Sequence, residues 1–193
     1  MIEIIQKIKL KIQKIFFIIF YSSSFKSFGK RSTFVFPFRI NGAKFISVAE
    51  KVHINEGAWM MALKNSKKDP VISIGSGSYI GRSVHIVAVN RIDIKDNVAM
   101  ADKVYITDNA HNYEDINTLM KEQKILDFGP VVIGENTWLG ENSCIMGASI
   151  GKHCVIGVNS VVTSDIPDYS IAVGSPARVI KQYNFETKKW EKR

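Results

Sequence analysis

Residues 132–162 read VIGENTWLGENSCIMGASIGKHCVIGVNSVV, in which an aliphatic residue stands at nearly every sixth position and is often followed by glycine. Because six is an even number, this repeat keeps one side chain on the same face of an extended strand. The repeat fits a helix of 3.6 residues per turn poorly. Each group of six residues therefore predicts one short strand and one tight turn.

The same spacing extends over most of the chain, which indicates a solenoid. Three consecutive hexads make one triangular coil, and stacked coils would pair at the usual strand spacing of about 4.8 Å. The pattern predicts an all-β, parallel β-prism of about five coils with aliphatic side chains inside it. The predicted inward positions are Val48, Ile54, Met60, Ile74, Ile80, Ile86, Ile94, Met100, Ile106, Ile133, Leu139, Ile145, Ile150, Ile156 and Val162.

Every break in the spacing falls between two coils, so all insertions are expected along one edge of the prism. The longest step, from Ile106 to Ile133, predicts an extruded loop over about residues 107–132. Insertions in solenoids concentrate on one face, which is often the functional one. A narrow interior filled with side chains leaves no room for a ligand. We therefore expect the site outside the prism, against this loop or a second subunit.

The chain divides into three predicted parts. Residues 46–166 form the β-helix domain, and residues 167–193 form a C-terminal loop and tail that complete the site, with residues 165–178 as a proline-containing loop. Residues 1–45 are an N-terminal region that begins with an amphipathic helix. This helix either caps the open end of the prism or lies on a membrane surface. Its predicted apolar side consists of Ile4, Ile5, Ile8, Ile12, Ile15 and Phe16.

Composition narrows the classes of function. The chain has 193 residues and a net charge of +8, but nine of its 26 Lys and Arg residues lie in residues 1–44 beside a single acid, Glu3. Residues 45–193 contain 17 basic and 17 acidic residues and so carry no net charge, which argues against a nucleic-acid-binding domain. Two cysteines without CxxC spacing and four unpaired histidines predict no metal site. We expect a cytoplasmic protein, with peripheral membrane association through residues 1–20 as an open alternative.

Three stretches carry a family likeness: ISIGSGSYIGRSVHIVAVNRIDIKDNV (residues 72–98), ITDNAHNYED (residues 106–115) and the run from residue 131 to the end. Together they resemble the bacterial hexapeptide-repeat acyltransferases. More narrowly, they are similar to the O-acetyltransferases of lipopolysaccharide O-antigen and other surface polysaccharides, and to maltose and galactoside acetyltransferases. The resemblance covers residues 46–193.

This resemblance implies a left-handed parallel β-helix and a homotrimer with active sites between neighbouring prisms. It implies acetyl-CoA as cosubstrate, no metal, and direct transfer of the acetyl group to a sugar or glycan hydroxyl. A histidine acts as general base in such enzymes, and no acyl-enzyme forms.

His111 is the candidate base. An alcohol that attacks a thioester must lose its proton, and imidazole is the side chain whose pKa best suits that step near neutral pH. His111 matches the Asp-x-x-His element of the family. Asp108 caps backbone amides, bonds the imidazole or only forms a turn. Asn109 stands where relatives often have a second histidine. Glu122 is a weaker candidate for contacting the acceptor.

Trp138 should face outward, because it directly precedes the inward-facing Leu139. The resemblance places it beside the nucleotide groove, facing the base of a neighbouring subunit. Ser164 stands where relatives commonly have a lysine. The likeness maps acetyl-CoA contacts onto Glu141, Val158, Thr163 and Ser164, and phosphate contacts onto Arg178 and Lys181.

Two other functions stay open from the residues alone. The same fold acetylates other acceptors, such as an amino sugar, an antibiotic or the hydroxyl of serine. Noncatalytic and carbonic-anhydrase-like β-helices form a second class, although a metal site of that kind needs several converging histidines.

Overall fold

The computed structural model describes residues 1–64 and 68–193. Its core consists of three parallel sheets, which we call A, B and C, and the chain visits them in that order once per coil. This architecture is the left-handed parallel β-helix that the resemblance implies, preceded by one helix.

The first three coils contain β1 (Ser27–Phe28), β2 (Thr33–Phe34), β3 (Arg39–Asn41), β4 (Ile46–Val48), β5 (His53–Ile54), β6 (Trp59–Ala62), β7 (Val71–Ile74), β8 (Tyr79–Ile80) and β9 (His85–Ala88). The next coil contains β10 (Arg91–Ile94), β11 (Ala99–Met100) and β12 (Tyr105–Thr107), and it is followed by the hairpin strands β13 (Asn109–His111) and β14 (Ile125–Asp127). The remaining strands are β15 (Val131–Ile133), β16 (Trp138–Leu139), β17 (Cys144–Met146), β18 (Val155–Ile156), β19 (Val161–Val162), β20 (Ser170–Gly174), β21 (Ala177–Asn184) and β22 (Lys189–Lys192).

The predicted interior is confirmed. All 15 inward positions are at most 2% exposed. They stack in register from coil to coil, as Ile86, Ile106 and Ile145 do along sheet C. Burying an aliphatic side chain of this size is worth about 1.5–3 kcal/mol, so the stacked interior supplies the main stabilisation of the fold.

The prism begins earlier than the aliphatic spacing predicts. Phe28, Phe34 and Ile40 pair in register with Val48, Ile54 and Met60, so residues 27–41 form a first coil inside the region expected to be a cap. These three residues also stand six positions apart. Two of its three inward positions are phenylalanine, so a spacing of aliphatic residues does not include this coil.

The C-terminal end of the prism also differs from the expected loop over residues 165–178. Ile166 forms a further rung on sheet A, and β20 adds a strand to sheet B, where Ala172 pairs with Ile156. The strands β21 and β22 then extend sheet B in antiparallel fashion. The tail is therefore strand, and the two prolines of residues 165–178 flank β20 rather than exclude it.

The N-terminal helix α1 spans Ile2–Phe20 and touches the prism at its C-terminal end. Phe17 is its one buried residue, and its ring packs 5.2 Å from Phe34 and 5.0 Å from Phe28 between ring centroids. The isoleucines predicted as the apolar side of this helix therefore do not cover the end of the prism. In the described residues, no helix combines the length and the apolar character needed to cross a membrane.

Candidate functional site

A long hairpin leaves the prism at Thr107, the end of β12, and returns at Val131, the start of β15. It occupies what we call the C–A corner, the turn by which the chain passes from sheet C to sheet A. Near the prism its strands β13 and β14 pair in antiparallel fashion, with His111 opposite Ile125. His111 is exposed, so its imidazole is accessible to a substrate from outside the prism.

Asp108 fixes the root of this hairpin. Its side chain is fully buried, and its two carboxylate oxygens accept hydrogen bonds from the backbone N–H groups of Val89 (2.9 Å) and Asn90 (2.8 Å) in the coil before it. Asp96 and Asp102 bond backbone N–H groups of the preceding coil in the same way at other corners. Of the three roles open from the sequence, these hydrogen bonds correspond to the bonding of backbone amides, and Asp108 does not bond the imidazole of His111.

Asn109 adds a second tie between the hairpin and the prism. Its side-chain amide donates to the carbonyl oxygen of Val87 (3.2 Å) and to Asp108 Oδ1 (3.0 Å). On the returning strand, Asp127 accepts a hydrogen bond from the side chain of Asn90 at 3.0 Å. Both strands of the hairpin are therefore held at their bases, two residues away from His111. These ties were not predicted as such, although the Asp and Asn residues at the root are visible in the sequence.

Glu122 lies farther out. It ends a single 3₁₀ turn, Met120–Glu122, in the exposed part of the hairpin beyond the paired strands. This placement puts Glu122 on the same excursion as His111. Across the described residues, no group of three or more His, Cys, Asp and Glu side chains is arranged to hold a metal ion.

The residues expected at acetyl-CoA fall on two different corners of one chain. Thr163 and Ser164 follow β19 at the C–A corner, two coils beyond the hairpin. Glu141 and Val158 follow β16 and β18, at the corner between sheets B and C, and Glu141 lies 3.6 Å from Lys103 Nζ. All four are exposed. One chain therefore does not bring the whole expected set together.

Arg178 and Lys181 both lie on β21, three residues apart. Side chains alternate between the two faces of a regular strand, so two residues that are three positions apart would normally lie on opposite faces. Here the pairing of β20 with β21 shifts its register, so that Arg178 pairs with Val173 and Lys181 with Ile171. This shift leaves Ile180 without a partner on β20, as in a β-bulge, and places Arg178 and Lys181 on one face of β21. The sequence alone gave no sign of the bulge.

Trp138 faces outward on sheet B as predicted and is 45% exposed. Sheet B is the side of the prism opposite the C–A corner, so Trp138 and His111 of one chain lie apart. In the same column, Ala99 separates Trp138 from Tyr79, which is 47% exposed. Tyr79 is therefore a second exposed aromatic residue on the outer face of sheet B, and it is absent from the site residues predicted above. Its position directly before the inward-facing Ile80 is the sequence signal for an outward-facing side chain.

Known proteins share this architecture. Residues 130–164 match the family model described as the hexapeptide repeat of succinyl-transferase. A putative lipopolysaccharide biosynthesis O-acetyl transferase, WbbJ of Escherichia coli K12, is 38% identical over 129 residues, which cover 63% of this chain and 66% of that protein. The chain thus spans slightly less than two thirds of the length of this curated relative.

Solved structures agree on the fold. A maltose O-acetyltransferase from Clostridium difficile 630 is 30% identical, with a TM-score of 0.57, and the match covers 83% of this chain and 71% of that one. AntD, an N-acyltransferase from Bacillus cereus solved with dTDP and 3-hydroxybutyryl-CoA, gives a TM-score of 0.72 at 20% identity, covering 86% and 87%. The second likeness concerns the fold alone. From the repeat, the prism and the first of these structures, the chain belongs to the hexapeptide-repeat acetyltransferase family.

Proposed function

We propose that this protein transfers the acetyl group of acetyl-CoA to a hydroxyl of a sugar in a surface polysaccharide or its precursor. The observation that carries the proposal is the exposed imidazole of His111 on a hairpin whose two strands are tied to the prism at their bases. The names of two relatives, a lipopolysaccharide O-acetyl transferase and a maltose O-acetyltransferase, support a sugar hydroxyl as acceptor. The CoA ester in the AntD structure supports an acyl-CoA donor.

The chemical step is a direct acyl transfer. The acceptor oxygen attacks the carbonyl carbon of the thioester while an imidazole nitrogen of His111 accepts the hydroxyl proton. The C–S bond then breaks, CoA leaves as a thiolate, and the imidazolium returns the proton to the sulfur. Asp108 and Asn109 act as positioning residues, because their hydrogen bonds hold the backbone from which His111 projects.

A homotrimer would complete the site. The candidate acetyl-CoA contacts of one chain are divided between two corners, and Trp138 lies on the sheet opposite His111. If the C–A corner of one prism meets the neighbouring prism along sheet B or its edge with sheet C, the imidazole and the remaining contacts come together. Arg178 and Lys181, turned to one face by the bulge, would then bind the phosphates of CoA.

The test compares two histidines that carry the same substitution. We expect His111→Asn to lower kcat/KM for acetyl-CoA and a sugar acceptor by about 10²–10⁴-fold, the usual contribution of a general base. The matched control is His153→Asn. His153 is also exposed but has a φ of 55°, a conformation that asparagine tolerates, and it lies at a different corner. CoA release is followed with a thiol reagent, and unfolding curves verify that both variants are folded.

Three outcomes would contradict the proposal. A rate for His111→Asn within about threefold of the parent would exclude general-base catalysis by this residue. Faster turnover of amino sugars than of hydroxyl acceptors would change the acceptor class. Absence of acetyl-CoA binding in calorimetry, at protein concentrations where sedimentation establishes the oligomeric state, would favour a noncatalytic scaffold.

A further inference from the structure

The helix α1 presents an uncovered apolar stripe. Its members recur at steps of three or four residues, with two adjacent pairs among them, and share one side of the helix at 100° per residue. Each is between 44% and 63% exposed, whereas single exposed apolar residues are the ordinary case for a protein surface. The stripe consists of Ile4, Ile5, Ile8, Ile12, Ile15, Phe16 and Ile19.

The prism does not cover this stripe because the helix docks by its other side. Phe17, the buried residue of α1, points away from the stripe and inserts among Phe25, Phe28 and Phe34. Gln13 and Lys14 are half-buried on the docked side, one turn earlier. The isoleucines therefore project outward from the end of the molecule. Their surface continues through Phe16, whose ring lies 5.9 Å from that of Phe36 at the first coil.

Lysines border the stripe on both sides. At 100° per residue, Lys7 and Lys11 lie along one margin and Lys9 lies along the other, whereas Lys14 lies nearer the docked side. Glu3 is the single acidic residue of α1, so the helix carries a net positive charge on a chain whose residues 45–193 are balanced. Lysine side chains can extend their ammonium groups past an apolar surface to polar groups beyond it. This arrangement complements a partner surface that has an apolar interior and anionic groups at its boundary with water.

We propose that α1 binds the surface of an anionic lipid bilayer, with its isoleucine stripe among the acyl chains and its lysines at the headgroups. A helix with this division of residues lies in the plane of the interface. Lysines in the middle of α1 oppose a transverse orientation, which would put them in the hydrocarbon. A second copy of the chain fits less well, because two copies of α1 would bring their lysine margins together with only Glu3 of each helix to offset the like charges. This inference goes beyond the proposed function and does not depend on it.

The test measures flotation of the full-length protein with vesicles of phosphatidylcholine alone or with about 30% phosphatidylglycerol. We expect binding to the anionic vesicles that weakens at high salt. Ile8→Gln/Ile12→Gln should lower the partition coefficient at least about tenfold, because two aliphatic side chains no longer leave water. Glutamine keeps a favourable helix propensity, so the helix itself is preserved. The matched control is Ile116→Gln, at a 93% exposed isoleucine far along the chain, which should bind like the parent.

The lysines require a separate variant. Lys7→Gln/Lys9→Gln/Lys11→Gln should lose about tenfold or more in binding to anionic vesicles and little in binding to neutral ones. Failure of the parent to float with anionic vesicles at low salt would overturn the proposal. So would equal flotation of the parent and Ile8→Gln/Ile12→Gln. A change of oligomeric state in the isoleucine variant, measured by sedimentation without lipid, together with no flotation of the parent, would assign the stripe to a second copy instead.

Discussion

The coils and the hairpin at the C–A corner are both built from short strands, but different interactions hold them. Each strand in the middle of the prism pairs with one strand above and one below, and its inward residue is buried. Among the strands of the described residues, β13 and β14 pair with each other and with no third strand. Beyond them, Ile116, Leu119 and Met120 are exposed. Repeated packing thus determines the coils, whereas a few hydrogen bonds at its root determine where the hairpin sits.

The coils therefore determine the stability of the protein, whereas the hairpin carries the candidate base. A coil cannot change without disturbing the coils on either side, because their inward side chains stack in register. The hairpin projects away from that stack, so its outer residues can vary with little cost to folding. The two regions meet at Asp108, whose buried carboxylate belongs to the prism and whose neighbours in sequence belong to the hairpin.

The largest expected effect on stability comes from removing one inward aliphatic side chain. Ile106→Ala should lower the free energy of unfolding by about 2–5 kcal/mol, because it leaves a cavity between Ile86 and Ile145. The same substitution in the hairpin, Ile116→Ala, should change it by less than about 0.5 kcal/mol. Urea unfolding followed by circular dichroism measures both. Equal losses would mean that the hairpin is as much a part of the folded core as the coils are.

The sequence predicted the coils well because their positions obey one rule. A six-residue spacing suffices to identify Leu139 or Ile156 as buried without knowledge of anything distant in the chain. The rule failed where the residue type changed, as at Phe34, and where the chain reversed direction after β20. The coil at residues 27–41 keeps the six-residue spacing, so the same rule applied to large apolar residues, aromatic ones included, predicts it.

The candidate site was less predictable, because its geometry depends on contacts between distant segments. The length of the insertion and the resemblance pointed to His111. Nothing local indicates that Asp108 bonds the amides of Val89 and Asn90, which come from the preceding coil. The bulge at Ile180 likewise arises from the pairing of two strands and not from a residue signal. The division of candidate contacts between two corners required the fold itself.

A smaller effect is expected at the joint between the two regions. Asp108→Asn replaces one buried oxygen with an amide that cannot accept from the N–H of Val89 or Asn90, and it should cost about 1–3 kcal/mol of stability. If the proposed role of His111 holds, kcat/KM should also fall, because the hairpin loses a tie at its root.

The control for this joint is Asp96→Ala. Asp96 is exposed and accepts one hydrogen bond, from the backbone N–H of Ser76, at a corner without an insertion. Removing this acceptor should lower the free energy of unfolding by about 0.5–1.5 kcal/mol and keep the catalytic rate of the parent at a temperature where both are folded. A catalytic loss in Asp96→Ala as large as that in Asp108→Asn would show that Asp108 acts through general destabilisation and not through the position of the hairpin.

The smallest expected effect is a pH dependence that belongs to the coils alone. His85 lies on the outer face of sheet C between Trp59 and Tyr105, with its ring centroid 4.2 Å from that of Trp59, and burial lowers the pKa of its imidazole. The folded state therefore disfavours the charged imidazole. Above the unfolded pKa of about 6.5 the imidazole is neutral in both states and costs no stability, and the free energy of unfolding decreases as the pH falls from there toward the lower folded pKa. His85→Phe keeps a stacked ring but cannot titrate, so its free energy of unfolding should fall less than that of the parent between about pH 7.5 and 5.5. Urea unfolding at a series of pH values measures the two slopes, and parallel curves would show that the burial of His85 does not couple its protonation to the fold.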